Sequence, residues 1–284
     1  MTTTISNSEV TATIKHKGAE LISFLKNGTK KEYIWNGNPE YWGKHSPILF
    51  PIVGTLKDNC YTYKDKTYHL LRHGFARDME FELVYKTENE ATFSLVSNQE
   101  TNELYPFIFE LQIIYKLFQS EIQITYNVIN YGLNTMLYSI GGHPALSLPN
   151  QFENYSLNFC PNENLVSYEL ENDLLSDKKT TITLDESILP LTYSLFEKDA
   201  LIFKELQSKQ IQLLENNTPI LNFKFKDFPN FGIWTKRNAA FICLEPWVGY
   251  SDLVSANGNI EEKEGIQKLE SKTSKEYSFH IEIL

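Results

Sequence analysis

Apolar side chains recur at every second position over long stretches of the chain. Phe107, Phe109, Leu111, Ile113, Tyr115 and Leu117 occupy one parity, with Glu110, Gln112 and Lys116 between them. Ile122, Ile124, Tyr126 and Val128 then alternate with Glu121, Gln123, Thr125 and Asn127. The same pattern returns at Leu221, Phe223 and Phe225, and at Tyr277, Phe279, Ile281 and Ile283. Successive side chains of a strand point to opposite faces, so each stretch reads as a strand with one buried side. One-sided alternation belongs to antiparallel sheets, whereas the parallel strands of α/β folds are apolar on both faces. Turn residues separate the strands: Gln119-Ser120, Thr87-Glu88-Asn89-Glu90 and Glu215-Asn216-Asn217-Thr218-Pro219. Asn98–Tyr105 predicts a short helix stopped by Pro106. Residues 161–190 mix strand fragments with Asn, Asp and Lys. No linker, repeat or charge block divides the chain. The expected fold is all-β, one large antiparallel sandwich over residues 1–284 with very few short helices.

Of the 284 residues, 42% are hydrophobic, enough for a large core. The formal charge of −10 argues against nucleic-acid partners, whose phosphates select basic surfaces. Cys60, Cys160 and Cys243 lie far apart with no C-x-x-C spacing, so a sequence-local zinc clip is not expected. An odd cysteine count fits a reducing compartment. The N-terminal residues lack the basic start and apolar run of a signal peptide, and no stretch approaches 18 apolar residues. These features predict a cytoplasmic protein with no membrane or nucleic-acid partner. Both a monomer and a homodimer fit the sequence.

Three segments carry candidate chemistry. Leu71-Arg72-His73-Gly74-Phe75-Ala76-Arg77-Asp78 crowds three cations and a carboxylate around a glycine, in a connection between strands where working side chains are often placed. A solvated connection with Arg77 paired to Asp78 is the plainer reading. Ser139-Ile140-Gly141-Gly142-His143-Pro144 puts an imidazole beside two glycines, which would let a ligand come close. A buried, hydrogen-bonded histidine at a strand end explains it equally well. Phe241-Ile242-Cys243-Leu244-Glu245-Pro246-Trp247 holds one carboxylate in an apolar run. Alternation puts Cys243 and Glu245 on one face, opposite Leu244. Desolvation would raise the pKa of an inward Glu245 and suit it to act as a base. An outward Glu245, or one paired for structure, remains open. Trp247 could stack on a sugar face or simply fill core. His45 could line a cleft. His16, His69 and His280 alternate with apolar neighbours and are expected on solvated faces. Phosphate-cradling glycine loops, G-x-S-x-G and H-E-x-x-H are absent.

In this order, and with Phe50-Pro51-Ile52-Val53-Gly54 ahead of them, the segments resemble the aldose 1-epimerase (galactose mutarotase) family, in particular its LacX-like bacterial branch. The resemblance runs over nearly the whole chain. It implies a galactose mutarotase-like β-supersandwich and interconversion of the α and β anomers of an aldohexose such as galactose or glucose, with no cofactor or metal. By position it makes His143 the general acid, Glu245 the general base and His73 a second histidine near the ring oxygen. It also implies an aspartate on the sugar hydroxyls, for which Asp199 is the choice, and Arg77 and Trp247 are taken as further substrate-binding residues. Where the family often has an arginine after the Pro/Gly stretch, this chain reads Gly54-Thr55-Leu56; either Arg77 takes over that role or the sugar contacts differ. Three other readings stand beside it. One is a hexose-phosphate 1-epimerase using Lys57, Arg72 and Arg77. Another is a non-catalytic carbohydrate-binding protein using Trp35, Trp42, Trp234 and Trp247. The third is a metal enzyme with His73, His143 and Glu245 as ligands.

Overall fold

The computed structural model describes residues 1–284. Every pairing between its named strands is antiparallel. Phe109–Phe118 and Glu121–Asn130 pair along their whole length, from Phe109 opposite Asn130 to Phe118 opposite Glu121. Ser274–Ile283 continues the register, with Phe279 opposite Ile124. The period-two residues therefore stack on one face, and Leu111, Ile113, Ile122 and Ile281 are fully buried. These strands form the middle of a nine-stranded sheet that ends at Glu82–Lys86 on one side and Ile188–Pro190 on the other.

A second large sheet carries the candidate site. Its strands run in the order Leu174–Ile182, Leu165–Glu171, Leu201–Phe203, Asn230–Trp234, Phe241–Val248, Ile140–Gly142 and Ile48–Leu49, and Ala145–Ser147 also pairs with Phe241–Val248. A smaller four-stranded sheet from residues 2–32 completes the N-terminal part. The helix at Gln99–Leu104 forms where expected. Asn98 closes a capping box, accepting the Thr101 N–H at 2.9 Å while Thr101 Oγ1 accepts the Asn98 N–H at 2.8 Å. No helix is long and apolar enough to cross a membrane.

Two local readings change. Residues 165–182 form a clear hairpin, turned by Asn172 and Asp173 at φ 52° and 66°. Those are the left-handed conformations of a type I′ turn, which Asn and Asp tolerate. The turn expected over Glu215–Pro219 narrows to Asn216-Asn217 (φ 48° and 63°), and the next strand already begins at Thr218. Pro219 fits inside that strand because the register shifts opposite it, between Leu213 and Leu214.

Candidate active site

Glu245 sits on Phe241–Val248, a strand buried along its entire length. Strands cover both its edges, so outward exposure is closed off. Even positions Ile242, Leu244 and Val248 join the main core. Odd positions turn the other way: Phe241 and Cys243 pack with Trp35, and Trp247 with Leu49, Val53 and Tyr250. Glu245 shares this second face and is 1% exposed.

His143 occupies the break between Ile140–Gly142 and Ala145–Ser147, and its N–H donates to the Pro47 carbonyl at 3.1 Å. Its Nε2 lies 3.2 Å from Glu245 Oε2. Trp42 stacks on the imidazole at 4.7 Å between ring centres, and Trp234 meets it edge-on at 5.9 Å. The neighbouring glycines do not open space for a ligand. A Cβ on Gly141 would fall 2.6 Å from the Trp247 ring, and one on Gly142 would fall 2.7 Å from Tyr126 Oη. They are small because core aromatics press against them.

His73 reaches the same place from the Arg72–Asp78 connection. Its backbone is left-handed at φ 69°, a conformation uncommon for a non-glycine residue, and is held by an N–H donated to the Gly54 carbonyl at 2.8 Å. The ring stands perpendicular to that of His143, 5.9 Å away. Nδ1 accepts the Gly54 N–H at 3.0 Å, and Arg72 Nε lies 3.3 Å from Nε2. Arg72 also pairs with Asp173 at 3.0 Å, and Arg77 donates to the Arg72 carbonyl at 2.7 Å. Asp199 is held at φ 105°, well outside ordinary backbone space.

These six residues, His73, Arg77, His143, Asp199, Glu245 and Trp247, line one cavity of about 630 Å³. That size suits a small-molecule site. The electrostatics are set by burial. Desolvation pushes the Glu245 carboxyl well above its usual range, with Arg72 opposing and Asp199 reinforcing the shift. Trp247 turns its indole N–H toward that carboxylate, which lowers it slightly, yet the nitrogen closes no hydrogen bond. Desolvation drives His143 down to about 3, helped by Arg72 and Arg77. His73 is lowered well below its usual value by burial, then by His143, Arg72 and Arg77. Glu245 Oε2 and His143 Nδ1 are buried without hydrogen-bond partners.

Other residues land elsewhere. Lys57 Nζ donates to the Val254 and Ala256 carbonyls, so it is not part of a phosphate cradle with Arg72 and Arg77. His45 lies against Gly37 and lines no part of this cavity. Trp35 is core, with its indole N–H donating to the Trp42 carbonyl. Thr55 also lies off the lining. His69 is exposed as expected, but His16 and His280 are half-buried, bonded to Thr3 and Glu121. Sequence reasoning missed Glu197, Lys198 and Ser251, all on the cavity wall. They belong to connections with no periodicity to mark them. The metal-capable cluster contains Cys243, not His73: ligand atoms of His143, Cys243 and Glu245 lie within 4.8 Å of one another. Burial raises the Cys243 thiol well above its usual value, which disfavours the thiolate a metal needs.

The aldose 1-epimerase family profile matches residues 1–268. The chain belongs to the aldose 1-epimerase family. It is 34% identical, over 299 aligned positions that span the full length of both chains, to the LacX protein of Lactococcus lactis subsp. lactis. A galactose mutarotase related enzyme from Lactobacillus acidophilus is also 34% identical and superposes with a TM-score of 0.94, covering 100% of this chain and 97% of that one. A galactose mutarotase-like protein from Lactobacillus casei superposes at 0.95 with 28% identity and full coverage of both. The architecture is thus the galactose mutarotase-like β fold.

Proposed function

We propose that this aldose 1-epimerase family member interconverts the α and β anomers of an aldohexose such as galactose or glucose by general acid–base ring opening and reclosure. The contact between His143 and Glu245 on the cavity wall carries the reading. The anomeric hydroxyl oxygen O1 and the ring oxygen O5 are both bonded to C1. An acid and a base 3.2 Å apart can therefore reach both from one side of the sugar.

The proton count supports the same roles. A protonated Glu245 beside neutral His143, and a Glu245 carboxylate beside imidazolium, hold the same number of protons. Burial favours the neutral form. Substrate hydroxyls bonded to the carboxylate favour the ionic form, which is the working one; Arg72 steadies the carboxylate but works against the imidazolium. Glu245 takes the proton from the O1 hydroxyl, His143 gives its proton to O5, and the C1–O5 bond breaks to leave the open-chain aldehyde. Rotation about C1–C2 presents the other carbonyl face. The ring hydroxyl oxygen then attacks C1 while His143 recovers its proton and Glu245 returns one to O1. Each positioned transfer contributes about 10²–10⁴-fold. His73 faces the ring oxygen, and Arg77, Asp199 and Trp247 contact the sugar.

A sugar-phosphate substrate is the second reading, because Arg72, Arg77 and Lys198 all line the cavity. Polarimetry of freshly dissolved α-glucose and α-galactose tests the first reading, with exchange NMR on glucose 6-phosphate in parallel. Acceleration of the free hexoses is expected. Acceleration of the phosphate alone moves the assignment to the second reading. Saturable binding of the sugars with no acceleration of any anomer would leave only a carbohydrate-binding protein.

A further inference from the structure

Next to the cavity lies a second buried pair that the proposed chemistry does not use. Lys263 Nζ stands 2.8 Å from Asp252 Oδ1, and the two side chains are 3% and 4% exposed. Lys263 also donates to the Tyr250 carbonyl at 2.7 Å. The second carboxylate oxygen of Asp252 accepts the Lys57 N–H at 2.9 Å, and the Asp252 N–H donates to the Thr55 carbonyl at 2.8 Å. One residue earlier, Ser251 Oγ accepts the Thr55 N–H at 3.0 Å. The segment Gly54–Lys57 is thereby tied to Ser251-Asp252 by three hydrogen bonds. It is pressed there so closely that a Cβ on Gly54 would fall 2.1 Å from Ser251 Oγ.

The other side of this segment meets His73. The Gly54 N–H donates to His73 Nδ1, and the His73 N–H returns a bond to the Gly54 carbonyl. Both ring nitrogens of His73 face N–H donors, Gly54 at 3.0 Å and Arg72 at 3.3 Å. A neutral imidazole accepts at one nitrogen and donates at the other. The Gly54 amide is backbone, is the closer donor and has its direction fixed. Arg72 is a long, partly exposed side chain anchored through Nη1 to Asp173, so its Nε–H can turn to solvent or a ligand. Nδ1 is therefore the acceptor, and the proton sits on Nε2.

We infer that the Lys263–Asp252 pair is a positioning device: by clamping Gly54–Lys57 it aims the Gly54 amide at His73 Nδ1 and fixes His73 as the Nε2–H tautomer. His73 then offers a sugar oxygen a set hydrogen bond, and His143 alone supplies the proton. Arg72 finds no acceptor at Nε2, so its Nε–H is left for a substrate oxygen. A buried ion pair is weak evidence for stability, and in some proteins such a pair fixes one arrangement of the chain. The inference rests on the acid–base reading of the cavity, but its first test does not depend on activity.

That test is nitrogen-detected NMR of the full chain labelled in histidine, with the His73 signals assigned by loss in His73→Gln. The wild type should show a protonated Nε2 and a bare Nδ1. The same spectrum of Asp252→Asn should show a mixture of tautomers. Its kcat for anomer exchange should fall about tenfold, with KM within about twofold, as for outer partners that orient a working side chain. Should Asp252→Asn fail to fold, Asp252→Asn/Lys263→Met removes both charges at similar volume and takes its place. A wild-type His73 protonated at Nδ1 overturns the inference. So does a folded variant with unchanged tautomer and kcat, which would reduce the pair to a loop fastener. An inactive wild type with the Nε2–H tautomer would refute the proposed reaction and leave the clamp standing.

Discussion

Two buried carboxylates, seven residues apart in sequence, are handled in opposite ways. Asp252 is saturated: one oxygen takes Lys263 and the other takes the Lys57 amide, while Lys263 has the Tyr250 carbonyl as well. Glu245 has the flank of His143 at 3.2 Å and the Trp247 N–H turned toward it, yet Oε2 makes no hydrogen bond. A buried polar group without partners is unfavourable by about 1–3 kcal/mol. The difference separates structure from chemistry. The satisfied pair is bound to the fold on every side, so no substrate can improve its surroundings. The unsatisfied pair would gain partners from a polyol, as the proposed reaction requires, and both of its pKa values are displaced by burial.

Breaking the unsatisfied pair should therefore change rate much more than stability. Glu245→Gln keeps shape and burial but removes the proposed base. The expected loss in kcat is about 10²–10⁴-fold, and His143→Asn should lose a similar amount. The urea midpoint of Glu245→Gln should equal or exceed that of the wild type, because a neutral amide replaces an ionisable group held in an unfavourable place. Wild-type kinetics from a folded Glu245→Gln would remove Glu245 from the mechanism.

Breaking the saturated pair should do the reverse. Lys263→Met strands the Asp252 charge with one amide donor. Loss of one partner from a buried pair destabilises by about 3–5 kcal/mol. Chemical denaturation of the variant against the wild type measures this directly. A loss below about 1 kcal/mol would mean that water reaches Asp252 in the folded protein, as at an exposed pair.

The two halves of this comparison were not equally legible in the sequence. The period of Phe107–Val128 revealed the sheet because every second residue must enter the core, and the register follows from that pattern. Glu245 stood out because a carboxylate within Phe241–Val248 has nowhere polar to go. His143 and His73 stood out beside their glycines, though for the wrong reason at Gly141-Gly142, which make room for Trp247 and Tyr126. Lys263 and Asp252 gave no signal. They lie in irregular chain, and their pairing depends on how residues 250–263 fold back over Lys57. The stacking of Trp42 on His143 was equally hidden, since a hundred residues separate the two.

A smaller and more graded effect sharpens the contrast through pH. His73 and His143 are held below the ordinary histidine value of 6.5 by burial, so as pH falls through 6.5 the unfolded chain takes up protons that the folded one refuses. Stability should fall with them. Glu245 acts in the opposite sense: above its ordinary value of 4.5 the fold keeps a proton that the unfolded chain has lost, so stability declines as pH rises. Between 4.5 and 6.5 two histidines oppose one glutamate, and these three groups together make the fold more stable with rising pH, by about 1.4 kcal/mol per unit. His73→Gln isolates one of them. Relative to the wild type, its stability should depend less on pH by about 1.4 kcal/mol per unit in that window, and the two curves should run parallel above about pH 7. Urea titrations at half-unit steps give both curves. Curves parallel throughout would mean that His73 titrates normally in the fold, in contact with solvent, and could not be held by the Gly54 amide.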